Sequence, residues 1–429
     1  MLISIPKYLI LFALLYFNST NAFAQISSVI CGNLLNVETG LYDQNVLITF
    51  DPITENIIKI DINSNKKIDS KTIDLSEYFC LPGLIDMHTH ISEDISNDLI
   101  NFYTTTQEEQ LKIGRVNAEK TLMAGFTTIR DLGVYIAWTD RKLKNEINAH
   151  KIPGPRMKIS GFYLSIPGGG GDIDVPDYQG VVPDHIKRGI TQGADNFEAR
   201  AETLINGGVD QIKLIASGAV LAYGSVPGNP EMSPEEISAV VKVARQSNTK
   251  VIAHAHGALS IKQAIQSGVH SIEHASLIDE EGIQMAKEYG VALSMDIYNG
   301  DYINEYGIIE GWPEEFLRKN RETTGIQREN FSKAHKSGVK IVYGTDAGVY
   351  PHGNNAKQLK YMIKYGMTNI EAIQSATIHA AEVIGMLDQV GQIKKGFFAD
   401  LIAVKENPML NIQVLENIDV VIKGGRLYK

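Results

Sequence analysis

From Leu84 onward, short apolar runs of strand length alternate along the chain with longer stretches of helical periodicity. This alternation is typical of βα units that build a parallel sheet. The strand candidates are Leu84–His90, Phe126–Asp131, Arg156–Gly161, Gln211–Ser217, Val251–His256, Ser271–Ala275, Val291–Asp296 and Lys340–Asp346. Eight such strands with intervening helices predict an α/β fold, a (β/α)8 TIM barrel, rather than an open sheet.

The segment Ser233–Ser247 illustrates the helical part of this pattern. Ser233 is a suitable N-cap, Pro234 fits the first helical position, and Glu235 and Glu236 follow in the first turn. All three features favour the start of a helix at this point.

The two ends of the chain have a different pattern, in which short β-type runs are broken by turns. These runs are Ile26–Ile30, Asn45–Phe50, Ile57–Ile62, Leu401–Val404 and Val420–Ile422. The simplest arrangement is a small β-sandwich domain formed jointly by residues 25–83 and 391–429. The barrel, at residues 84–390, is then inserted between these two segments.

Residues 1–24 are typical of a secretory signal peptide. Lys7 precedes the apolar run Tyr8–Phe17, and a polar stretch then leads to an Ala-Phe-Ala cleavage site at 22–24. The alternative is a membrane anchor, but a run of this length is short for a bilayer span. We expect cleavage before Gln25 and export to the periplasm or the medium, with no membrane attachment afterwards.

Composition and charge limit the possible partners. The hydrophobic fraction is 44% and the charged fraction 21%, as in ordinary globular proteins. A formal net charge of −10 without a basic block argues against nucleic acid as a partner.

Export would permit a disulfide between Cys31 and Cys80. Two cysteines alone are weak evidence for a disulfide-bonded fold, however, and we expect two buried thiols. Homo-oligomerisation is left open.

The first chemical signal is the pair His88 and His90 at the end of the first barrel strand. Residues two apart on a strand point to the same side, so both imidazoles can converge on one metal ion. A His-x-His pair alone is a weak signal, because many buried histidines only satisfy local hydrogen bonds.

Further ionisable residues lie toward the carboxyl ends of other strands, where TIM barrels carry their chemistry. They are Lys213, His254, His256, His274 and Asp346. Each alone has an ordinary explanation: a lysine in a salt bridge, a core histidine, or an aspartate that caps a helix. Their joint placement on several strand ends favours a single functional site.

Together these residues resemble the amidohydrolase superfamily, over nearly all of the chain that follows the signal peptide. The motifs that carry the resemblance are PGLIDMHTH at 82–90, Lys213, His254, His274, GTD at 344–346, GQI at 391–393 and GFFADLI at 396–402. The lysine and the segment AHAHG at 253–257 look like the branch that contains Xaa-Pro and Xaa-Arg/Lys dipeptidases and related amide hydrolases.

The resemblance implies a centre of two Zn2+ ions. His88, His90 and Asp346 would hold one ion, and His254 and His274 the other. Lys213 would bridge the two ions as N6-carboxylysine. The chemistry agrees, because an ammonium cannot ligate a cation whereas a carbamate offers two anionic oxygens. Imidazole and carboxylate ligands suit zinc, while Mn2+ and Co2+ stay open.

The implied mechanism is attack on an amide carbonyl by a hydroxide that bridges the metal ions. Asp346 would accept the proton and pass it to the leaving amine. His256 and Tyr223 are candidates for the donor that stabilises the oxyanion, although His256 could instead orient a metal ligand.

Two other features admit more than one interpretation. The glycine run Gly168–Gly171 lacks the following Lys-Ser/Thr of a P-loop, so we expect an active-site loop with Asp172 near its end. Arg130 and Asp131 could form a buried structural pair or bind a substrate carboxylate, and the structural role is favoured.

The expected function is therefore hydrolysis of amide C–N bonds in small substrates, with dipeptides as one class. A cyclic amidase or deaminase is an alternative. Such relatives carry Glu three residues after the histidine that corresponds to His254, where this chain has Gly257. A phosphotriesterase-like hydrolase could use the same ligands. A metal-binding protein without catalysis would lack a catalytic group, and Asp346 argues against it.

Overall fold

The computed structural model of the chain describes residues 27–64, 70–94, 101–172 and 178–429. The predicted signal peptide at 1–24 lies outside these ranges. Within them, no helix has both the length and the apolar character needed to cross a membrane.

Strands from both ends of the chain form one seven-stranded mixed sheet. They are β1 Ser28–Asn36, β2 Leu41–Asp51, β3 Asn56–Asp61, β4 Thr72–Pro82, β13 Leu401–Val404, β14 Val420–Lys423 and β15 Arg426–Leu427. Their order in the sheet is β15-β14-β13-β4-β1-β2-β3. The ends are joined where β4 pairs antiparallel with β13. Both ends of the chain thus contribute strands to one unit, as expected. Its described strands form a single sheet and not the expected β-sandwich. The domain boundaries stay a prediction.

A disulfide joins Cys31 and Cys80 in this sheet, so the expectation of two buried thiols was wrong. Cys31 lies on β1 and Cys80 on β4, two strands that pair in parallel. Their sequence spacing alone did not reveal this, because the strand β4 had not been recognised among its polar residues.

The eight expected barrel strands are all present, in parallel sheets of five and three. They are β5 Leu84–Thr89, β6 Phe126–Asp131, β7 Arg156–Lys158, β8 Gln211–Ile215, β9 Lys250–Gly257, β10 Ser271–Leu277, β11 Ala292–Ser294 and β12 Ile341–Val342. Parallel bridges Leu164–Leu214 and Thr89–Ala347 join the two sheets at both edges, as a (β/α)8 barrel requires. The expected α/β fold is confirmed.

Helices separate the strands and cover the sheets. In the described chain they are α1 Gln107–Met123, α2 Thr139–Asn148, α3 Ala194–Asn206, α4 Pro234–Gln246, α5 Ala258–Ser267, α6 Glu280–Tyr289, α7 Asn299–Ile309, α8 Glu314–Ser337, α9 Lys357–Lys364, α10 Asn369–Ser375 and α11 Ile378–Ile384. Helix α4 begins as predicted, with a capping box in which Ser233 and Glu236 each accept the other's backbone N–H.

Several barrel strands end earlier than the sequence pattern indicates, and left-handed backbone occurs at the carboxyl-terminal side of two of them. Asp346 lies four residues beyond β12 and has a φ of 59°. His274 and Ala275, inside β10, have φ values of 67° and 46°. Left-handed backbone is rare for such residues and is concentrated at functional sites.

Candidate metal centre

One group of possible ligands consists of His88, His90 and Asp346, at adjoining ends of β5 and β12. Asp346 Oδ1 lies 3.2 Å from His88 Nε2 and 3.4 Å from His90 Nε2. The backbone nitrogen of Asp346 donates to the carbonyl of His88 at 2.7 Å, which fixes the aspartate beside the histidine pair.

A second group consists of His254, His256 and His274, at the ends of the neighbouring strands β9 and β10. The ring centroids of His254 and His274 are 4.5 Å apart, and His256 stacks on His274 at 4.7 Å. His256 Nδ1 meets Ser276 Oγ at 2.8 Å. Because a hydroxyl can donate or accept, this contact is compatible with either tautomer of His256.

A third group, made of His274, Asp296 and Asp346, links the first two. His274 Nδ1 donates to Asp296 Oδ1 at 2.9 Å, which leaves Nε2 as the free ligand atom of the ring. Outer carboxylates of this kind fix the tautomer of metal-binding histidines. The seven possible ligands of these three groups therefore form one continuous site.

Lys213 lies on β8 beside these groups and is only 2% exposed. Within the described chain, no carboxylate comes within ion-pair distance of its Nζ. Burial lowers the pKa of Lys213 from 10.5 to about 8, although Glu273 and Asp346 oppose this shift. The neutral amine is the form that reacts with CO2, so this environment favours a carbamate.

Beneath His88 lies a buried ion pair that the sequence analysis did not foresee. Arg130 Nη2 contacts Glu273 Oε1 at 2.7 Å, and Glu273 Oε2 lies 3.1 Å from His88 Nδ1. Burial alone would raise the pKa of Glu273, but the charges of Arg130 and His88 lower it below its ordinary value. Arg130 thus has the structural role favoured from the sequence, with Glu273 rather than Asp131 as its ion-pair partner.

The buried imidazole nitrogens of the site are suitable ligands for divalent metal ions. Both ring nitrogens of His88 are buried, and the described residues in contact with them are carboxylates, Glu273 at Nδ1 and Asp346 at Nε2. Burial lowers the pKa of His90, and that of His254 falls well below its ordinary value. Burial and the charge on His274 lower the pKa of His256 to about 3. Imidazoles that stay neutral at pH 7 are suitable metal ligands.

The possible ligands line a cavity of about 140 Å³. Its wall includes Tyr135, Tyr163 and the segment Ala219–Leu221. Tyr223 is not in that wall; its ring packs against Phe316 of α8, with centroids 4.8 Å apart. The structure therefore does not bring Tyr223 to the site, although it brings together His256 and all the predicted metal ligands.

The glycine run reaches the cavity at Gly170 and Gly171. Its amides are already used: Gly168 N donates to Asp172 Oδ2 at 2.9 Å, and Gly170 N donates to Glu231 Oε2 at 2.7 Å. A loop whose amides are bound by carboxylates does not cradle a phosphate. This geometry agrees with the prediction of an active-site loop.

A family model described as the amidohydrolase family matches residues 79–428, most of the chain. The chain belongs to the amidohydrolase family. The match includes every predicted metal ligand of the site.

An enzyme of known name resembles this chain over most of its length. Ochratoxinase of Aspergillus niger is 32% identical over 385 residues, which span 81% of this chain and 75% of that protein. Its crystal structure has a TM-score of 0.80 at 27% identity and covers 95% of this chain and 96% of its own.

Two solved structures described as a Xaa-Pro dipeptidase and a prolidase are similar as well. A Xaa-Pro dipeptidase with methionine bound in its active site has a TM-score of 0.86 at 35% identity, over 94% of this chain and 99% of its own. A prolidase complexed with N-methylphosphonate-L-proline has a TM-score of 0.86 at 28% identity, over 93% and 98%.

Four polar residues of this amidohydrolase site were missed in the sequence: Glu273, Asp296, Asn299 and Gln327. Gln327 Nε2 donates to Asp296 Oδ1 at 3.1 Å, and Asn299 Nδ2 donates to Asp296 Oδ2 at 3.1 Å. Asp296 ends a predicted strand, which was an available signal. Gln327 lies within helix α8 and has no local pattern that points to a site.

Proposed function

We propose that this amidohydrolase is an exported enzyme that cleaves amide C–N bonds of small molecules, such as dipeptides, with two divalent metal ions. The observation that carries the proposal is that the three groups of possible ligands share residues and line one cavity together with the buried Lys213. Zinc is the metal that the imidazole and carboxylate donors favour.

His88, His90 and Asp346 would hold one ion, and His254 and His274 the other. Lys213 would join them as N6-carboxylysine, for which its burial and lowered pKa give support. When bound, the two ions would polarise the amide carbonyl and lower the pKa of water.

Asp346 would serve as general base and then as general acid. Its pKa is held well below the ordinary range: burial opposes this, but His88 and His90 outweigh it. The carboxylate is therefore available to accept a proton, and passing that proton on releases the amine. His256, neutral at pH 7, would donate a hydrogen bond to the oxyanion in the tautomer that carries its proton on Nε2.

The relatives suggest the kind of substrate to test. A Xaa-Pro dipeptidase, a prolidase bound to a proline phosphonate and an ochratoxinase all resemble this chain. We infer that the substrate is a small amide with an amino acid on one side of the scissile bond. The disulfide is compatible with the proposed export, because disulfides persist in oxidising compartments.

The proposed activity can be tested by a hydrolysis screen of dipeptides, N-acyl amino acids, a cyclic amide and a phosphotriester. We expect turnover of an amide by the wild-type protein and a loss of at least about 100-fold in kcat for Asp346→Asn, since the general base is removed. Asp195→Asn, at an exposed position of α3, is the matched control and should behave as wild type.

Equal turnover by wild type and Asp346→Asn would refute the mechanism. Turnover of only the cyclic amide or only the phosphotriester would replace the proposed substrate class by one of the alternatives.

A further inference from the structure

Asn299 lies between the two halves of the proposed metal centre. One half is the ligand group that contains Asp346, and the other is the group that contains His274. Asn299 Nδ2 donates to Asp296 Oδ2 at 3.1 Å and to Asp346 Oδ2 at 3.0 Å. An amide NH2 has two hydrogens, so one group can satisfy both carboxylates. Asn299 is 5% exposed and belongs to the cavity wall.

The local fold places this side chain firmly. The backbone nitrogen of Asn299 donates to the carbonyl of Asp296 at 3.0 Å, in the turn that follows β11 and opens helix α7. The side-chain amide is thereby brought back over the carboxylate three residues earlier. Two acidic acceptors also determine its orientation, because only the nitrogen end can face them.

The contact with Asp346 separates the roles of that residue's two oxygens. Oδ2 is held by Asn299, while Oδ1 lies 3.2 Å from His88 Nε2. The contact with Asp296 acts on the other half, because Asp296 holds His274 by its Nδ1. A single amide thus supports one carboxylate ligand directly and one histidine ligand through Asp296.

Asn299 also reduces a local repulsion. Asp296 and Asp346 each offer an oxygen to a cluster whose ligand atoms lie within 4.8 Å of one another. Two carboxylates this close repel each other unless a donor or cation lies between them. The shared NH2 supplies that donor.

We propose that Asn299 is a positioning residue of the metal centre, which fixes Asp346 and, through Asp296, His274 for metal binding and proton transfer. This inference rests on the proposed function. Loss of its amide should reduce metal affinity and kcat by about 10- to 100-fold, the range found for outer-shell partners of metal ligands. KM should change little, because the residue acts on the ligands rather than on the substrate.

The test is calorimetric titration of chelator-treated, full-length protein with Zn2+ in bicarbonate buffer, together with kcat and KM for the best amide found. Asn299→Ala removes the amide, and Asn299→Leu removes both donors while it fills the space. Asn330→Ala is the matched control: Asn330 is also buried, and its Nδ2 donates to the carbonyl of Ser276 at 3.0 Å without touching a carboxylate.

We expect weaker Zn2+ binding and lower kcat in both Asn299 variants. Asn330→Ala should lose thermal stability but keep the wild-type affinity. Wild-type Zn2+ affinity in either folded Asn299 variant, or an equal loss in Asn330→Ala, would overturn the inference. Absence of Zn2+ binding by the wild-type protein would instead refute the proposed function, and the inference with it.

Discussion

Single residues outside the ligand set hold the site in place, and Arg130 is the clearest case. Its guanidinium donates to the carbonyl of Met87, to Ser271 Oγ and to Glu273 Oε1. Arg130 and Glu273 are both almost fully buried. The pair therefore connects three barrel strands directly below His88.

Arg130→Met should destabilise the protein by about 3–5 kcal/mol, because it leaves the Glu273 carboxylate buried without its cation. Urea denaturation of chelator-treated protein measures this change. In Arg318→Met an exposed pair with Glu322 is lost, and the expected cost is only about 0.3–0.5 kcal/mol. Similar losses in the two variants would contradict the role assigned to Arg130.

The proposed ligands could be found in the sequence because an ionisable side chain at the end of an apolar strand is conspicuous. The alternation of a strand does not explain all of them. Ser271 and Glu273 both contact Arg130, so regular alternation would turn His274 away from that side. The left-handed backbone of His274 changes this direction, and such a distortion has no sequence signal.

At the scale of elements, prediction succeeded where the apolar pattern was continuous or a cap was explicit. All eight barrel strands and the start of α4 were predicted. Strand β4, Thr72–Pro82, was missed because exposed polar residues such as Asp74, Ser76 and Glu77 interrupt its apolar positions. It pairs with β1 and β13, so missing it also hid how the two ends of the chain join.

Ser233→Ala should lower the free energy of unfolding by about 1 kcal/mol, because the N-cap of α4 loses the side chain that accepts from Glu236 N. The matched control is Ser247→Ala at the exposed carboxyl end of the same helix, which should change it by less than about 0.5 kcal/mol. Urea denaturation of both variants measures the difference. A result in which Ser247→Ala costs as much as Ser233→Ala would argue against the cap.

At the scale of the whole molecule, a cluster of charges joins the terminal sheet to the barrel. Lys423 of β14 donates through Nζ to the carbonyl of Gly154 at 2.6 Å. Arg156 of β7 pairs with Asp400 and with Glu55, which belong to the terminal part. Burial, followed by the charge of Arg156, lowers the pKa of Lys423 from 10.5 to about 7.

This shift predicts a pH dependence of stability. Between about pH 7 and 10.5 the unfolded chain binds a proton at Lys423 that the folded chain does not, so stability should rise with pH. Lys423→Met removes this contribution, at most about 1.4 kcal/mol per pH unit.

Urea denaturation at several pH values from neutral to alkaline should therefore give a shallower rise for Lys423→Met than for wild type. Lys405→Met, at an exposed position, serves as the control and should follow the wild-type curve. Parallel curves for wild type and Lys423→Met would show that Lys423 is charged in the folded protein.

The proposed two-metal centre, with Lys213 as its bridge, is tested most directly by the metal content per chain. Inductively coupled plasma mass spectrometry should find two divalent ions per wild-type chain and at most one in Lys213→Ala. Short carboxylic acids should then restore part of the activity of that variant by replacing the carbamate. Less than one ion per chain in a fully active wild-type protein, or equal content in both proteins, would contradict the claim.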